Sequence, residues 1–427
     1  MQAPPPGSAA GAPVSRIRTP GFAGYNVRWS PFFEHKLAIA SAANYGLIGN
    51  GRLHVVHLGP PGASAGAGVG DLPSMQVSNM FDTQDGLYDV AWSEMHENHL
   101  ISSSGDGSIA LWDTSHGPSG PHAGPSTRPL AHWRRHTREV FSLSWSPLQK
   151  HLFASSSWDG TVRIWTPERA GMEVSMLCLS PDGPALPTAQ AQPAANTTAP
   201  GAPPPPSSTA PCVYTCAFSP HAPDLIACGA GDGFVRIYDL RIPAPGAGAA
   251  PGSNLAAQPV ALLPVLGEVL SLDWNKYMPG TLATGSTDRS VKVWDLRAAL
   301  QPYTSSPHPP AQPPVAMPGQ GTSMLATTPP VPHPAAHAYA IRHVAFSPHA
   351  PNLLASASYD MSARIWNTAG VGGGGSMVGA ASTAGLVQRH DAHTEFVAGV
   401  EWSLFQPGLV ASCAWDSEVH LWRAPVR

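Results

Sequence analysis

Ser157–Thr166 reads SWDGTVRIWT. Five more segments share its frame: Ser104–Asp113 (SGDGSIALWD), Ala230–Asp239 (AGDGFVRIYD), Ser286–Asp295 (STDRSVKVWD), Ser358–Asn367 (SYDMSARIWN) and Ala414–Arg423 (AWDSEVHLWR). In each, an Asp opens a tight turn and Trp or Tyr follows six residues later. An internal repeat of this kind outranks chain length as a guide to fold. It also says where function sits, because repeat folds bind through loops held on a rigid scaffold.

Counting back from each turn Asp extends the unit. An alternating strand ends in Trp92, Trp145, Phe218, Trp274, Phe346 or Trp402, always 14 residues before its Asp. Trp29 in GYNVRWSP marks a seventh copy, whose turn is replaced by the longer Asn44–Gly51 loop (NYGLIGNG). Alternating β-branched segments read as strands, and Asp-Gly turns suit hairpins because Gly tolerates positive φ. A further strand is expected between units, most clearly at Glu173–Leu179 (EVSMLCL). Four strands in each of seven units predict an all-β, seven-bladed β-propeller. Too few residues follow Trp422 for another strand, so Ser15–Thr19 (SRIRT) is expected to fill that place and remove the open edge.

Seven such repeats need roughly 280–315 residues, and the chain has 427. The excess is assigned to insertions at 115–128, 180–211, 243–258, 298–336 and 369–386, with a leader at 1–14 and the propeller over 15–427. These stretches are rich in Pro, Ala, Gly and Ser and poor in charge, so disorder is expected there. Doubling a loop costs only about 0.6 kcal/mol, and a propeller tolerates them. PxxP runs such as Pro203–Pro206 are explained by composition bias.

The whole chain is 12% charged, with a formal net charge of −4. No basic excess points to nucleic acid or an anionic membrane. No apolar run suggests membrane insertion, and the first residues lack the apolar core of a signal peptide. Five cysteines form no CxxC pair, which suits a reducing compartment.

His136, His337 and His393 each lie 23 residues before a turn Asp, namely Asp159, Asp360 and Asp416. Ser155, Ser356 and Ser412 lie four residues before the same Asp residues, and Trp165, Trp366 and Trp422 complete three His, Ser, Asp, Trp sets. A Ser-His-Asp triad is contained in each. Three copies argue for scaffold, since an active site is normally single, and no GxSxG elbow is present. A structural network satisfies buried donors and acceptors that would be costly alone. His96–His99 (HENH) has the wrong spacing for HExxH zinc ligation, and His54 and His57 belong to a strand. No catalytic residue, metal or cofactor is assigned.

The inter-blade loops and the Asp turns of a propeller open on one face. The loop register holds Asp85, Glu139, Glu268 and Glu395, with Asp89 close behind. The position before the turn Asp holds Trp158, Tyr359 and Trp415. Carboxylates pair bidentately with Arg and aromatics supply anchors, so this mouth is the candidate site for a basic peptide.

The His, Ser, Asp, Trp sets and the repeated turns resemble those of WD-repeat proteins, where the tetrad is structural. Beyond the repeat, Arg18–Leu58, Asp85–Glu94 (DGLYDVAWSE), His337–Pro348 (HAYAIRHVAFSP) and His393–Ser403 (HTEFVAGVEWS) resemble the receptors for the type-2 peroxisomal targeting signal, a family of peroxins. The resemblance covers residues 16–423 outside the insertions. It implies a non-enzymatic cargo receptor that shuttles between cytoplasm and peroxisomal matrix. Its implied partners are cargo proteins such as thiolase, a co-receptor (the long form of the type-1 signal receptor) and the peroxisomal docking complex. The cargo signal is an amphipathic helix with a leading Arg and a later His or Gln. The alternative is another WD-repeat scaffold, a histone-tail adaptor or ubiquitin-ligase substrate-recognition subunit. A third class is a hydrolase using one tetrad.

Overall fold

The computed structural model describes residues 13–61, 72–115, 125, 128–167, 173–178, 210–242, 259–304, 323–327, 337–369 and 385–425. They form seven four-stranded antiparallel sheets. The first blade runs Phe22–Trp29, Lys36–Ala43, Gly51–Pro61 and Pro73–Thr83 in spatial order. The next five blades repeat this up-and-down order. The last takes Val397–Trp402, Leu409–Ala414 and Glu418–Arg423 from the end of the chain and borrows Ser15–Arg18 from its start, with Arg18 opposite Glu418. The inner strand of each blade packs on the next, and that of the last packs on that of the first, so the ring is closed.

Apolar alternation along the strands explains where the core lies. Each blade is apolar on both faces, and the core fills the wedges between neighbours. Val27, Trp29, Leu37 and Ile39 of the first blade pack against Leu409, Val419 and Leu421 of the last. Trp112, Trp165, Trp274, Trp402 and Trp422 are almost wholly buried. At ~25 cal/mol per Å² and ~150–250 Å² apiece, each such side chain contributes about 4–6 kcal/mol before ordering costs.

The six Asp turns share one backbone signature. The residue after the Asp has positive φ in all six: Gly107 (86°), Gly160 (81°), Gly233 (82°), Arg289 (69°), Met361 (64°) and Ser417 (61°). The degenerate first turn is a short 3-10 turn, Asn44–Gly46, with Asn44 at φ 47° and Tyr45 at φ 55°.

Residues 1–12 of the leader and most of the five insertions lie outside the described residues. Two elements inside 298–336 correct the reading of that stretch as insertion throughout. Helix Arg297–Thr304 buries Leu300 and Tyr303 in the core of the fourth and fifth blades. Strand Ser323–Thr327 is the outer strand of the fifth blade, opposite Lys292–Asp295. Both had been hidden by the surrounding Pro and Ala. Among the described residues, no helix is long and apolar enough to cross a membrane.

Candidate functional site

The three tetrads are laid out alike. His136 Nδ1 is 2.9 Å from Asp159 Oδ2, its Nε2 is 2.7 Å from Ser155 Oγ, and Trp165 Nε1–H donates to that same Oγ at 2.8 Å. The Thr137 amide also donates to Asp159, at 3.1 Å. His337 with Ser356, Asp360 and Trp366 follows the same path, as does His393 with Ser412, Asp416 and Trp422. Burial pushes the Asp159 and Asp360 carboxyls up. The hydrogen bonds and charge of His136 and His337, helped by Thr161 and Ser362, outweigh it and hold both well below the usual carboxylate range. The three Ser residues are fully buried between imidazole and indole, out of reach of a substrate on the face. The arrangement pins inter-blade loops to the strands beneath.

Above these pins lies a layer the sequence pattern had not exposed. Every inner strand shifts register at the same place: after Gly24, Leu87, Val140, Val213, Val269, Ile341 and Val397. The extra residue of a bulge re-aims its side chain. Here the extra residues are Tyr25, Tyr88, Phe141, Tyr214, Leu270, Arg342 and Ala398. All sit four residues before the strand aromatic, so the same count could have found them.

Four of the seven form an aromatic arc. Ring centroids are 5.2 Å apart for Tyr25–Tyr88, 5.0 Å for Tyr88–Phe141 and 5.7 Å for Phe141–Tyr214. The loop aromatics pack onto it. Trp158 stacks on Phe141 at 5.3 Å. Trp415 lies 5.5 Å from Tyr25, 5.3 Å from Phe396 and 6.2 Å from Tyr359. The Tyr45 ring, from the degenerate turn, lies 5.7 Å from Trp415, and its carbonyl accepts the Tyr25 hydroxyl at 2.6 Å. Trp158, Tyr359 and Trp415 are thus joined into one floor.

The carboxylates flank this floor. Burial raises the Tyr88 hydroxyl, and the charges of Asp85 and Glu139 raise it further. Tyr214 is pushed up to about 12 by burial, then by the charge of Glu268 and a hydrogen bond with it. Asp85 Oδ1 accepts the Gly86 amide at 2.7 Å. Glu139 lies 3.6 Å from the exposed Arg138 and, like Asp85, is half-buried. Glu268 is exposed. Glu395 is half-buried beside Phe396. Asp89 needs correction: it is 2% exposed and takes hydrogen bonds from Asn26 Nδ2 and the Val90 and Leu143 amides. It ties three inner strands together and is withdrawn from the mouth.

The chain matches the model of the WD domain, G-beta repeat, at residues 76–113, 127–166, 206–239, 263–295 and 330–367. It is 35% identical over 418 residues to the peroxisomal targeting signal 2 receptor of Saccharomyces cerevisiae, covering 95% of this chain and 98% of that one. The chain belongs to the peroxisomal targeting signal 2 receptor family. The receptor of Komagataella phaffii is 36% identical over 424 residues, with 95% and 98% covered, and that of Mus musculus 30% over 407 residues, with 95% of each chain covered. Each of these relatives covers 95% of this chain, whereas the repeat model leaves most of the degenerate first blade and the last blade unmatched.

His390, His393 and His420 bring nitrogen atoms within 4.8 Å of one another, a grouping the sequence spacing did not suggest. Those nitrogens are already engaged. His390 Nε2 meets His420 Nδ1 at 3.1 Å, His420 Nε2 meets Glu418 at 3.0 Å, and both His393 nitrogens serve its tetrad. The His393 and His420 rings are stacked at 3.7 Å. Hydrogen bonding and stacking account for the cluster.

Proposed function

We propose that the chain is a cargo receptor of peroxisomal import whose acidic, aromatic mouth binds the type-2 targeting signal. The observation that carries this reading is the placing of Asp85, Glu139, Glu268 and Glu395 around one continuous aromatic floor in a member of this family. A basic amphipathic helix meets both needs of such a surface: its Arg pairs with carboxylate, and its apolar side rests on ring faces. Binding of this kind uses no bond-making chemistry, so the chain acts as a receptor rather than an enzyme. A co-receptor, the long form of the type-1 signal receptor, completes the complex and delivers it to the docking complex. The receptor then cycles between cytoplasm and peroxisomal matrix, and thiolase is among its cargo.

The deciding experiment follows a reporter carrying a type-2 signal in cells lacking this protein. The reporter should stay in the cytosol and return to peroxisomes when the gene is restored. Import that persists without the protein would overturn the reading.

A further inference from the structure

Five Lys or Arg side chains are buried among the described residues: Lys36, Arg236, Lys292, Arg342 and Arg364. Four have polar partners. Arg236 pairs with Asp232, Lys292 with Asp288 and Arg364 with Asp360, while Lys36 donates to Asn98 and Thr114. Arg342 stands apart. It is 6% exposed, yet among the described residues it has no hydrogen bond and no ion pair. Its guanidinium carbon lies 4.5 Å from the centroid of the Phe141 ring, reaching from the inner strand of the sixth blade to that of the third.

Position makes this more than a packing accident. Arg342 is a bulge residue, in the register of Tyr25, Tyr88, Phe141 and Tyr214, and so belongs to the mouth floor. A guanidinium keeps its charge when buried and carries five donors in a fixed fork. A ring face offsets part of the cost of burying that charge but accepts none of the fork's hydrogen bonds in the plane. Two indoles of the same floor also lack an acceptor: Trp158 and Trp415 each have a buried Nε1–H with none. Nine other indole N–H groups of the chain do have acceptors, five on Ser or Thr hydroxyls and four on carbonyls. Trp29 Nε1, outside this layer, also lacks one, so the floor holds two of the three such indoles among the described residues.

We propose that the mouth contains a carboxylate-binding socket, in which Arg342 receives one acidic side chain of the bound polypeptide. The rim and the floor then read opposite charges. Asp85, Glu139, Glu268 and Glu395 take basic groups, while the centre takes a single acidic one. A segment lacking that acid binds through the rim alone. A uniformly basic segment is held less tightly than one with an acidic residue at the correct register, so the socket acts as a filter against merely basic peptides.

This inference rests on the mouth being the peptide site, and its test separates the two. The probes are fluorescent 20-residue helical peptides rich in Arg and Lys. One parent has no acidic residue, and its variants carry a single Glu walked through successive positions. Anisotropy titrations use the full chain. At one register, and one helical turn from it, Glu should tighten binding on the order of tenfold or more. That gain should vanish in Arg342→Gln and survive in part in Arg342→Lys. A walk with no gain on the unmodified protein, or a gain undiminished in Arg342→Gln, overturns the socket. Should Arg342→Gln fail to fold, the walk on the unmodified protein and on Arg342→Lys still decides. Parent-peptide binding that is lost in Glu139→Gln and Glu395→Gln keeps the mouth reading even when the walk is flat. Parent binding unaffected by either removes both.

Discussion

The guanidinium of Arg28, on the inner strand of the first blade, lies 2.5 Å from the carboxylate of Glu401, on the inner strand of the last. A second junction lies inside the last blade, where Arg18 Nε is 3.0 Å from Glu418. Backbone pairing of Ser15–Arg18 with Glu418–Arg423 completes it. Polar contacts thus cross both the interface of the first and last blades, near the axis, and the pairing of the chain's two ends, at the rim. Ser15–Arg18 covers the edge that Glu418–Arg423 would otherwise expose.

The inner pair gives an ordered prediction. Asp273 and Asp89 also lie in the field of Arg28, and burial with Asp273 raises the Glu401 carboxyl against the pull of Arg28. Arg28→Met leaves half-buried Glu401 and Asp273 facing each other without a cation between them, whereas Glu401→Gln leaves Arg28 with other acids nearby. The side chains keep 29% and 20% exposure, so the cost should fall below the ~3–5 kcal/mol of a sealed pair. We expect a loss of about 2–3 kcal/mol for Arg28→Met and about half that for Glu401→Gln in urea unfolding. Equal losses would show that the neighbouring acids do not matter.

The tetrads separate stability from binding. Ser155→Ala strands the Trp165 indole N–H and the His136 Nε2, both buried. At ~1–3 kcal/mol for each of the two orphaned groups, the variant should lose about 2–6 kcal/mol of stability. Signal-peptide affinity, measured well below the unfolding midpoint, should stay within about twofold, since the Ser touches nothing on the face. A catalytic reading requires the opposite: turnover abolished in a protein of unchanged stability.

The Asp turns predict gains as well as losses. Met361 occupies a positive-φ position that three sister turns give to Gly, and its side chain is 41% exposed. Met361→Gly relieves ~1–2 kcal/mol of left-handed strain against ~0.5–1 kcal/mol of added chain entropy, for a net gain near 0.5 kcal/mol. Gly107→Ala should fail in the other direction, because its Cβ would lie 2.6 Å from the His136 carbonyl oxygen. Thermal midpoints that move together in the two variants would contradict the account.

Much of this architecture is legible in the sequence because it is periodic. The 14-residue offset from Trp145 to Asp159 recurs in six blades and marks strands, turns and tetrads alike. The mouth was only half legible. Loop acids such as Glu139 stand out by type, but Arg342 and Tyr88 share a register without sharing chemistry, and a bulge leaves no mark in composition. Asp89 looked like a loop acid one strand position from the mouth; the Leu143 amide of a neighbouring blade claims it. Ser323–Thr327 was hidden because its short alternation lies among Pro and Ala.

Acid should weaken the fold in two steps. Burial, reinforced by neighbouring cationic forms, lowers His390 to about 3 and His420 to about 4, and burial with Arg52 lowers His54 to about 3. The unfolded chain binds these protons first, so stability is full above pH ~6.5 and falls as pH drops from there through the folded values. The depressed Asp159 and Asp360 add a second loss below pH ~3.9, again because the unfolded state takes up protons first. Unfolding free energy should therefore decline steadily from pH 7 to 4. A His390→Gln, His420→Gln double variant should show a shallower slope over that range; an unchanged slope would remove the pair from the account.

The mouth carboxylates yield the prediction closest to function. Glu139 and Glu395 are half-buried beside Tyr88 and Phe396, so a cation reaching them sheds much of its water. Truncating one side of such a charge pair costs ~2–5 kcal/mol, which corresponds to at least tens-fold in affinity. Glu139→Ala and Glu395→Ala should each weaken binding of a type-2 signal peptide by that factor, and raising salt should narrow the difference from the unmodified protein. Exposed Glu268 should matter less, within about tenfold, because water already screens it. Among the described residues Glu139 meets only the exposed Arg138 and no ion pair involves Glu395, so their removal should shift the thermal midpoint by no more than a degree or two. Full affinity in all three variants would place the signal elsewhere on the propeller while leaving its family unchanged.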